Sequence, residues 1–168
     1  AVAAGASMIN DVWGLRRDPE MASVAVEAEV PVVLMHNQDG TEYDDLVPEV
    51  IDGLRGLMES ALEAGIPEEK IVLDPGIGFG KTAEQSLDVL RRLDEFKGLG
   101  RPIMTGTSRK SSIGKVLELP IGDRVEGTAA TVALSIAGGA DIVRVHDVRE
   151  MVRVARMSDA IVRGWSEQ

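Results

Sequence analysis

The chain has 168 residues, 28 Asp and Glu against 18 Lys and Arg, a formal net charge of -10 and no cysteine. That length suits one domain with a real core. The acidity argues against a nucleic-acid surface, and the absence of cysteine excludes a disulfide framework or a thiolate metal site. No apolar run approaches the ~20 residues of a membrane span, and Ala1-Val2-Ala3-Ala4 lacks the charged start of a signal peptide, so the expectation is a soluble, cytoplasmic protein.

Aromatic residues make up only 3% of the chain, so the core must be built from Val, Ile, Leu, Met and Ala, as in folds with buried parallel strands. Taken in order, the first element is a short strand at Ile9-Asn10-Asp11, preceded by Gly5. Asp18-Pro19 reads as a cap followed by proline at the first helical position, starting a helix to about Ala28. A strand follows at Val32 to Met35. A helix from about Tyr43 to Ala64 places Val47, Val50, Leu54, Leu57, Met58 and Ala61 on one face. Gly65 then leads to the strand Ile71 to Asp74. Thr82 and Gln85 form a capping box for a helix reaching about Phe96. A strand at Ile103 to Thr105, a helix from Asp123 to Ala137, glycines at 138 and 139, a strand from Ile142 toward His146 and a helix from Val148 to Arg163 complete the series.

One layout recurs three times: a helix end, a glycine suited to the left-handed cap, a short β-branched strand, then a polar residue. Strands spaced by roughly 30 residues with helices between them imply parallel βα units. Five strands would suit a doubly wound sheet, whereas a closed (β/α)8 barrel needs eight and typically ~250 residues. The polar residues favour the barrel. Asn10 and Asp11, Met35, His36 and Asn37, Asp74, Thr105 with Ser108, Arg109 and Lys110, and Arg144, His146 and Asp147 all stand at C-terminal strand ends. A ring-shaped mouth takes a contribution from every strand; an open sheet has one crevice. The fold class expected is therefore α/β, a partial (β/α)8 TIM barrel of about five parallel strands, forming a single domain over residues 1–168.

On this acidic chain Lys81, Arg109, Lys110, Arg144 and His146 make a cationic island at that same end, suited to a small anion such as a phosphate or diphosphate. Asp74-Pro75-Gly76-Ile77-Gly78-Phe79-Gly80-Lys81-Thr82 is neither a P-loop nor a dinucleotide fingerprint, because Pro75 occupies the position of the first P-loop glycine and the glycine spacing is wrong for the other. What remains is a carboxylate at a strand end before a glycine loop that brings backbone close to a flat ligand, with Phe79 as an apolar wall. The plainer alternative is that Asp74 caps the loop. Thr107-Ser108-Arg109-Lys110-Ser111 opens a helix with cations, hydroxyls and free amides that would hold a carboxylate or phosphate. Arg144 and His146 share one face by strand alternation. Asn10 offers a donor and an acceptor to a heterocycle edge. Met35 and His36 read equally as pocket lining and as core, and Arg149, Arg153 and Arg156 as a solvated helix face. Two histidines without grouped carboxylates make no metal cage.

These stretches, in this order and spacing, resemble the dihydropteroate synthase family of pterin-binding enzymes: Ile9-Asn10-Asp11-Val12, Met35-His36, the loop 74–82, Gly106 to Ser111 and Arg144 to Val148. The resemblance covers essentially the whole chain. It implies an enzyme that condenses 6-hydroxymethyl-7,8-dihydropterin diphosphate with p-aminobenzoate, the reaction that sulfonamides inhibit. It implies that Asp74, Asn10 and Lys110 contact the pterin, that Met35, Phe79 and Gly106 form its walls, that Arg144 and His146 hold the diphosphate, and that Ser111 lies at the aminobenzoate carboxylate. Lys110, Arg144 and His146 would be the catalytic cations. Magnesium and a homodimer are family expectations, with the magnesium ligand in the family's first three βα units, which this sequence lacks. On that basis the chain is expected to be an N-terminally truncated portion, marginally folded and inactive alone. Trp13, Ser86 and Ser112 depart from the residues usual in the family, and the loop after His36 is short. Two other readings are a pterin-dependent methyltransferase domain of a corrinoid system and a non-catalytic pterin-binding module.

Overall fold

A computed structural model describes residues 1–165. The strands are β1 (Ile9–Asp11), β2 (Val32–Met35), β3 (Ile71–Asp74), β4 (Met104–Thr105) and β5 (Ile142–Val143). The helices are α1 (Met21–Ala28), α2 (Leu46–Glu63), α3 (Ala83–Arg91), α4 (Ser111–Leu117), α5 (Val125–Gly138) and α6 (Val148–Val162). β1, β2 and β3 are parallel neighbours with Asn10 level with Val33 and Met35 level with Asp74. β4 pairs in parallel with β5, and a parallel bridge from Leu73 to Ile103 joins the two groups. Spatial order thus equals chain order, with no reversal. A doubly wound sheet must reverse at a switch point; a barrel wall does not. The sheet does not close among the described residues, so β1 and β5 each keep one open edge.

Side-chain alternation divides the molecule into two layers. Val32, Leu34, Ile71, Leu73 and Ile103 face the helices, in a core with Val50, Leu54, Leu57, Val89, Leu93 and Phe96. The intervening residues Val33, Val72 and Met104 cluster on the opposite face, with Ile142 against them. α5 and α6 pack on each other through Val132, Ile136 and Met151. No described helix is long and apolar enough to cross a membrane.

The three glycine caps are present, with φ of 97° at Gly5, 91° at Gly65 and 104° at Gly139, each ahead of a strand. The Thr82–Gln85 capping box forms in both directions. Several boundaries depart from the sequence expectation. α1 starts at Met21, because residues 18–20 make a turn in which the Asp18 carboxylate accepts the Glu20 N–H. α2 starts at Leu46 because the Glu49 carboxylate accepts both the Asp44 and Asp45 N–H groups, while the Tyr43 hydroxyl donates to the Gly80 carbonyl. α3 ends at Arg91, and Leu93–Leu99 tightens into a 3-10 segment. Three residues per turn set Leu93, Phe96 and Leu99 on one side, and all three are buried. α5 begins at Val125 and α6 ends at Val162, each within two residues of the expected limits. β5 stops at Val143 rather than reaching His146, since its partner β4 is only two residues long and its other edge has no neighbour; one further backbone bond, from Arg144 N–H to the Thr105 carbonyl, extends the ladder.

Replacing Thr82 by Ala should cost about 1 kcal/mol, the usual value of an N-cap hydroxyl. Urea unfolding of the purified protein containing this chain measures it, and the midpoint should fall without a change in slope.

Candidate functional site

The inner row of side chains continues past the apolar cluster into polar ones. Counting two residues on from Val33, Val72, Met104 and Ile142 gives Met35, Asp74, Gly106 and Arg144, with Asn10 level with Val33 on the outermost strand. The four apolar residues form a floor, and the residues above it form the site.

Asp74 is 2% exposed. Its Oδ1 accepts the Gly76 N–H at 2.8 Å, so the carboxylate does cap the loop, while Oδ2 makes no hydrogen bond within the described residues. Burial pushes its pKa up to about 6, against the opposing pull of the Gly76 N–H and of Arg144, Lys110 and Lys81 in turn. Lys110 is in turn lowered by burial, raised by Asp74 and lowered again by Arg144. The Lys110 ammonium sits 4.1 Å from the centre of the half-buried Phe79 ring, a cation–π contact. A Cβ at Gly78 would meet the Lys110 stem at 3.1 Å, and one at Gly106 would meet the Arg144 guanidinium at 3.3 Å. Glycine at both positions lets these cations lie flat against the backbone.

The cationic island is smaller than the sequence implied. Arg109, held at φ 57°, makes a two-pronged ion pair with Asp147 at 2.5 and 3.1 Å, which raises the arginine and lowers the aspartate. Lys81 is buried beneath the glycine loop and does not face the mouth. Lys110, Arg144 and His146 remain unpaired with any carboxylate among the described residues. His146 is exposed, and its Nδ1 shares a 2.9 Å hydrogen bond with the buried Ser108 hydroxyl, whose oxygen also accepts the His146 N–H at 3.2 Å.

Other expected residues divide clearly. Asn10 lies exposed at the end of β1, and Met35 is 1% exposed at the end of β2. Ser111 is exposed in the first turn of α4 and forms no side-chain hydrogen bond in the described structure. His36 does not line the mouth: it is 7% exposed, packed where a Cβ on Gly53 would touch its ring at 2.7 Å. Arg149, Arg153 and Arg156 are exposed on α6. Asp11 braces its own turn by accepting the Trp13 and Leu15 N–H groups, and Trp13 stacks with the Arg17 guanidinium at 3.8 Å. Ser86 accepts the Gly78 N–H at 3.1 Å, which gives that departure a structural task. The Tyr43 hydroxyl on Gly80 was not legible in sequence, because the two residues are 37 apart and nothing local pairs them. Among the described residues no three His, Asp or Glu side chains gather as a metal cage.

The candidate site is thus an α/β wall carrying a buried acid and a glycine loop under free cations. The family model described as "Pterin binding enzyme" matches residues 1–146, and the chain belongs to that family. It is 54% identical over 162 residues to the dihydropteroate synthase of Bacillus subtilis, covering 96% of this chain but 57% of that protein. It superposes with a TM-score of 0.93, at 55% identity, on the crystal structure of dihydropteroate synthase from Clostridium difficile in the presence of pteroic acid, covering 96% of this chain and 62% of that one. The Xanthomonas albilineans dihydropteroate synthase with 4-aminobenzoic acid gives a TM-score of 0.91 at 40% identity, covering 95% and 59%. The chain thus spans about three-fifths of the relatives it matches.

Because the folded pKa of Asp74 is raised above that of an unfolded aspartate, its protonated form stabilises the fold at low pH, and this contribution is lost as pH rises through about 6. Asp74→Asn should therefore match the wild type near pH 4 and exceed it by roughly 1–3 kcal/mol at pH 7.5. Thermal unfolding across that pH range measures this.

Proposed function

We propose that this chain provides five consecutive βα units of an eight-unit barrel in a dihydropteroate synthase, joining 6-hydroxymethyl-7,8-dihydropterin diphosphate to p-aminobenzoate and releasing diphosphate. The observation that carries the reading is the convergence, over one apolar floor, of the buried Asp74 carboxylate at the end of β3 with Lys110, which lies against Gly78 and Phe79 of the following loop, and with Arg144, which lies against Gly106. The high identity to synthases supports it.

The 2-amino and N3–H edge of a pterin is a neutral donor fork resembling a guanidine. An ionised carboxylate already stripped of water, with one oxygen uncommitted, suits that fork. Asn10 would contact another polar edge of the ring, with Met35, Phe79 and Gly106 as walls and the Lys110 stem across the Phe79 face. In the reaction the bond between the pterin methylene and the diphosphate oxygen breaks, its electron pair leaving with the diphosphate. The aniline nitrogen forms the new C–N bond and gives up a proton to solvent. Lys110, Arg144 and His146 stabilise charge gathering on the departing anion, a contribution that needs orientation and electrostatics and no covalent intermediate. The Ser108 hydroxyl orients the His146 ring for this. Ser111, exposed at the start of α4, would take the aminobenzoate carboxylate. Among the described residues no three His, Asp or Glu side chains gather around one point; magnesium, whose ligand the family resemblance places in βα units this sequence lacks, would assist the leaving diphosphate when bound. A cytoplasmic location and a homodimer accompany the reading as further proposals.

In the full-length enzyme, Arg144→Ala should lower kcat/KM for the pterin diphosphate by roughly 100-fold or more while the melting temperature stays near wild type, as expected for an exposed side chain acting on developing charge. Steady-state kinetics decide it, and an unchanged constant removes Arg144 from the site. Methyl transfer to a corrinoid partner in place of aminobenzoate coupling would instead favour the methyltransferase reading. The isolated 168-residue chain should give no turnover, since its sheet leaves the mouth open on one side.

A further inference from the structure

The glycine loop after β3 is an expensive segment to order. Gly76, Gly78 and Gly80 all have positive φ, of 73°, 75° and 53°, and glycine loses more backbone freedom on folding than any other residue. Its two outer glycines lie on the neighbouring loop after β2: a Cβ at Gly76 would stand 1.9 Å from the His36 carbonyl oxygen, and one at Gly80 2.7 Å from the Gln38 carbonyl oxygen. Something must hold the segment in this shape.

The buried Lys81 side chain is placed to do so. It is 8% exposed, with no carboxylate in contact, yet its ammonium has three acceptors for its three N–H groups: the Gly76 carbonyl at 3.3 Å, the Phe79 carbonyl at 3.2 Å and His36 Nδ1 at 3.1 Å. Burial, with the nearby Lys81 and Arg16 charges, pushes His36 down to about 3, so the imidazole is neutral, and because an ammonium can only donate, its Nδ1 is the acceptor in this contact. Burial pushes Lys81 itself down to about 8, with Asp74 pulling the other way, which leaves it charged at neutral pH. A buried ammonium with no carboxylate partner is costly; an apolar side chain of the same length removes that cost and leaves three acceptors unpaired in exchange. The loop it braces carries the Gly76 N–H that holds Asp74 and the Phe79 ring that faces Lys110.

We propose that Lys81 is a positioning residue: by bonding the Gly76 and Phe79 carbonyls and His36 together, it sets the glycine loop in the shape that presents Asp74 and Phe79 to the pterin. This rests on the pterin-binding reading above, and goes beyond it by giving the buried lysine a role in affinity without contact with the ligand. The arrangement has a thermodynamic signature. Removing a brace that serves only stability lowers the melting temperature and scales activity by the folded fraction. Removing one that serves shape, at the cost of a buried charge, weakens ligand binding while the fold keeps or gains stability.

The test uses the full-length enzyme. Lys81→Met keeps the stem and removes the donors. Calorimetric titration with 6-hydroxymethyl-7,8-dihydropterin should show about ten-fold or greater loss of affinity, with a matching rise in KM for the pterin diphosphate. The kcat and the KM for p-aminobenzoate should stay within about three-fold, and the melting temperature should hold or rise. Wild-type affinity in the variant overturns the proposal, as does a parallel fall in melting temperature and kcat. Should Lys81→Met not fold, Lys81→Gln, which keeps two donors without the charge, takes its place with the same readouts and the same overturning results. Failure of the wild-type enzyme to bind the dihydropterin is a different outcome, and sinks the functional reading itself.

Discussion

A carboxylate held almost out of water is the constraint around which this molecule is arranged. Asp74 ends a strand with a parallel neighbour on each side, and almost none of its surface reaches solvent. Its ionised form is tolerated through one backbone N–H and through cations at a distance that none of them closes into an ion pair. Placing Lys110 or Arg144 in direct contact would make the acid comfortable and useless, because a satisfied carboxylate has nothing to offer a ligand.

The layers explain how so short a stretch achieves this. Strand alternation sends every second residue to the helices and every other one to the inner face. The helix-facing set is a continuous aliphatic core with Phe96 as its largest member, and it supplies most of the burial that holds the wall together. The inner set is small, a single layer of four apolar residues, and gives way two residues on to Asp74, Gly106 and Arg144. Stability and chemistry are thereby assigned to opposite faces of the same strands. The open edges of β1 and β5 are the exposed feature of the arrangement, since an unpaired edge is a template for association.

Two loops after adjacent strands act as one body. The segment after β2 supplies carbonyls at His36 and Gln38 against which Gly76 and Gly80 lie without a side chain between them, and Tyr43 closes the far end on the Gly80 carbonyl. From the other side, Ser86 in α3 takes the Gly78 N–H. A loop so rich in glycine would otherwise sample many shapes, and each tie removes some of them before any ligand arrives.

Local chemistry alone determined much of this protein. Glycine caps before the strands, the Thr82–Gln85 box and the period-2 and period-3.6 patterns are written in residues close in the chain, so the parallel βα units and the end of each strand that carries the polar groups were legible. So was the membership of Asp74, Lys110 and Arg144 in one polar set, because strand direction alone sends them to the same rim. Element ends were read less well wherever a distant side chain intervened, as with Tyr43 turned out of α2 toward Gly80, or where a strand depended on its partner's length, as with β5. Only the tertiary structure could divide the cations. Arg109 and Lys110 are adjacent in sequence, yet Arg109 is neutralised by Asp147, 38 residues on, while Lys110 stays free over Phe79. Lys81 and His36 both look like mouth residues in sequence, and packing buries them together beneath the loop. Charge type and strand polarity are local properties; pairing and burial depend on which surfaces meet, and the chain decides that only when it folds.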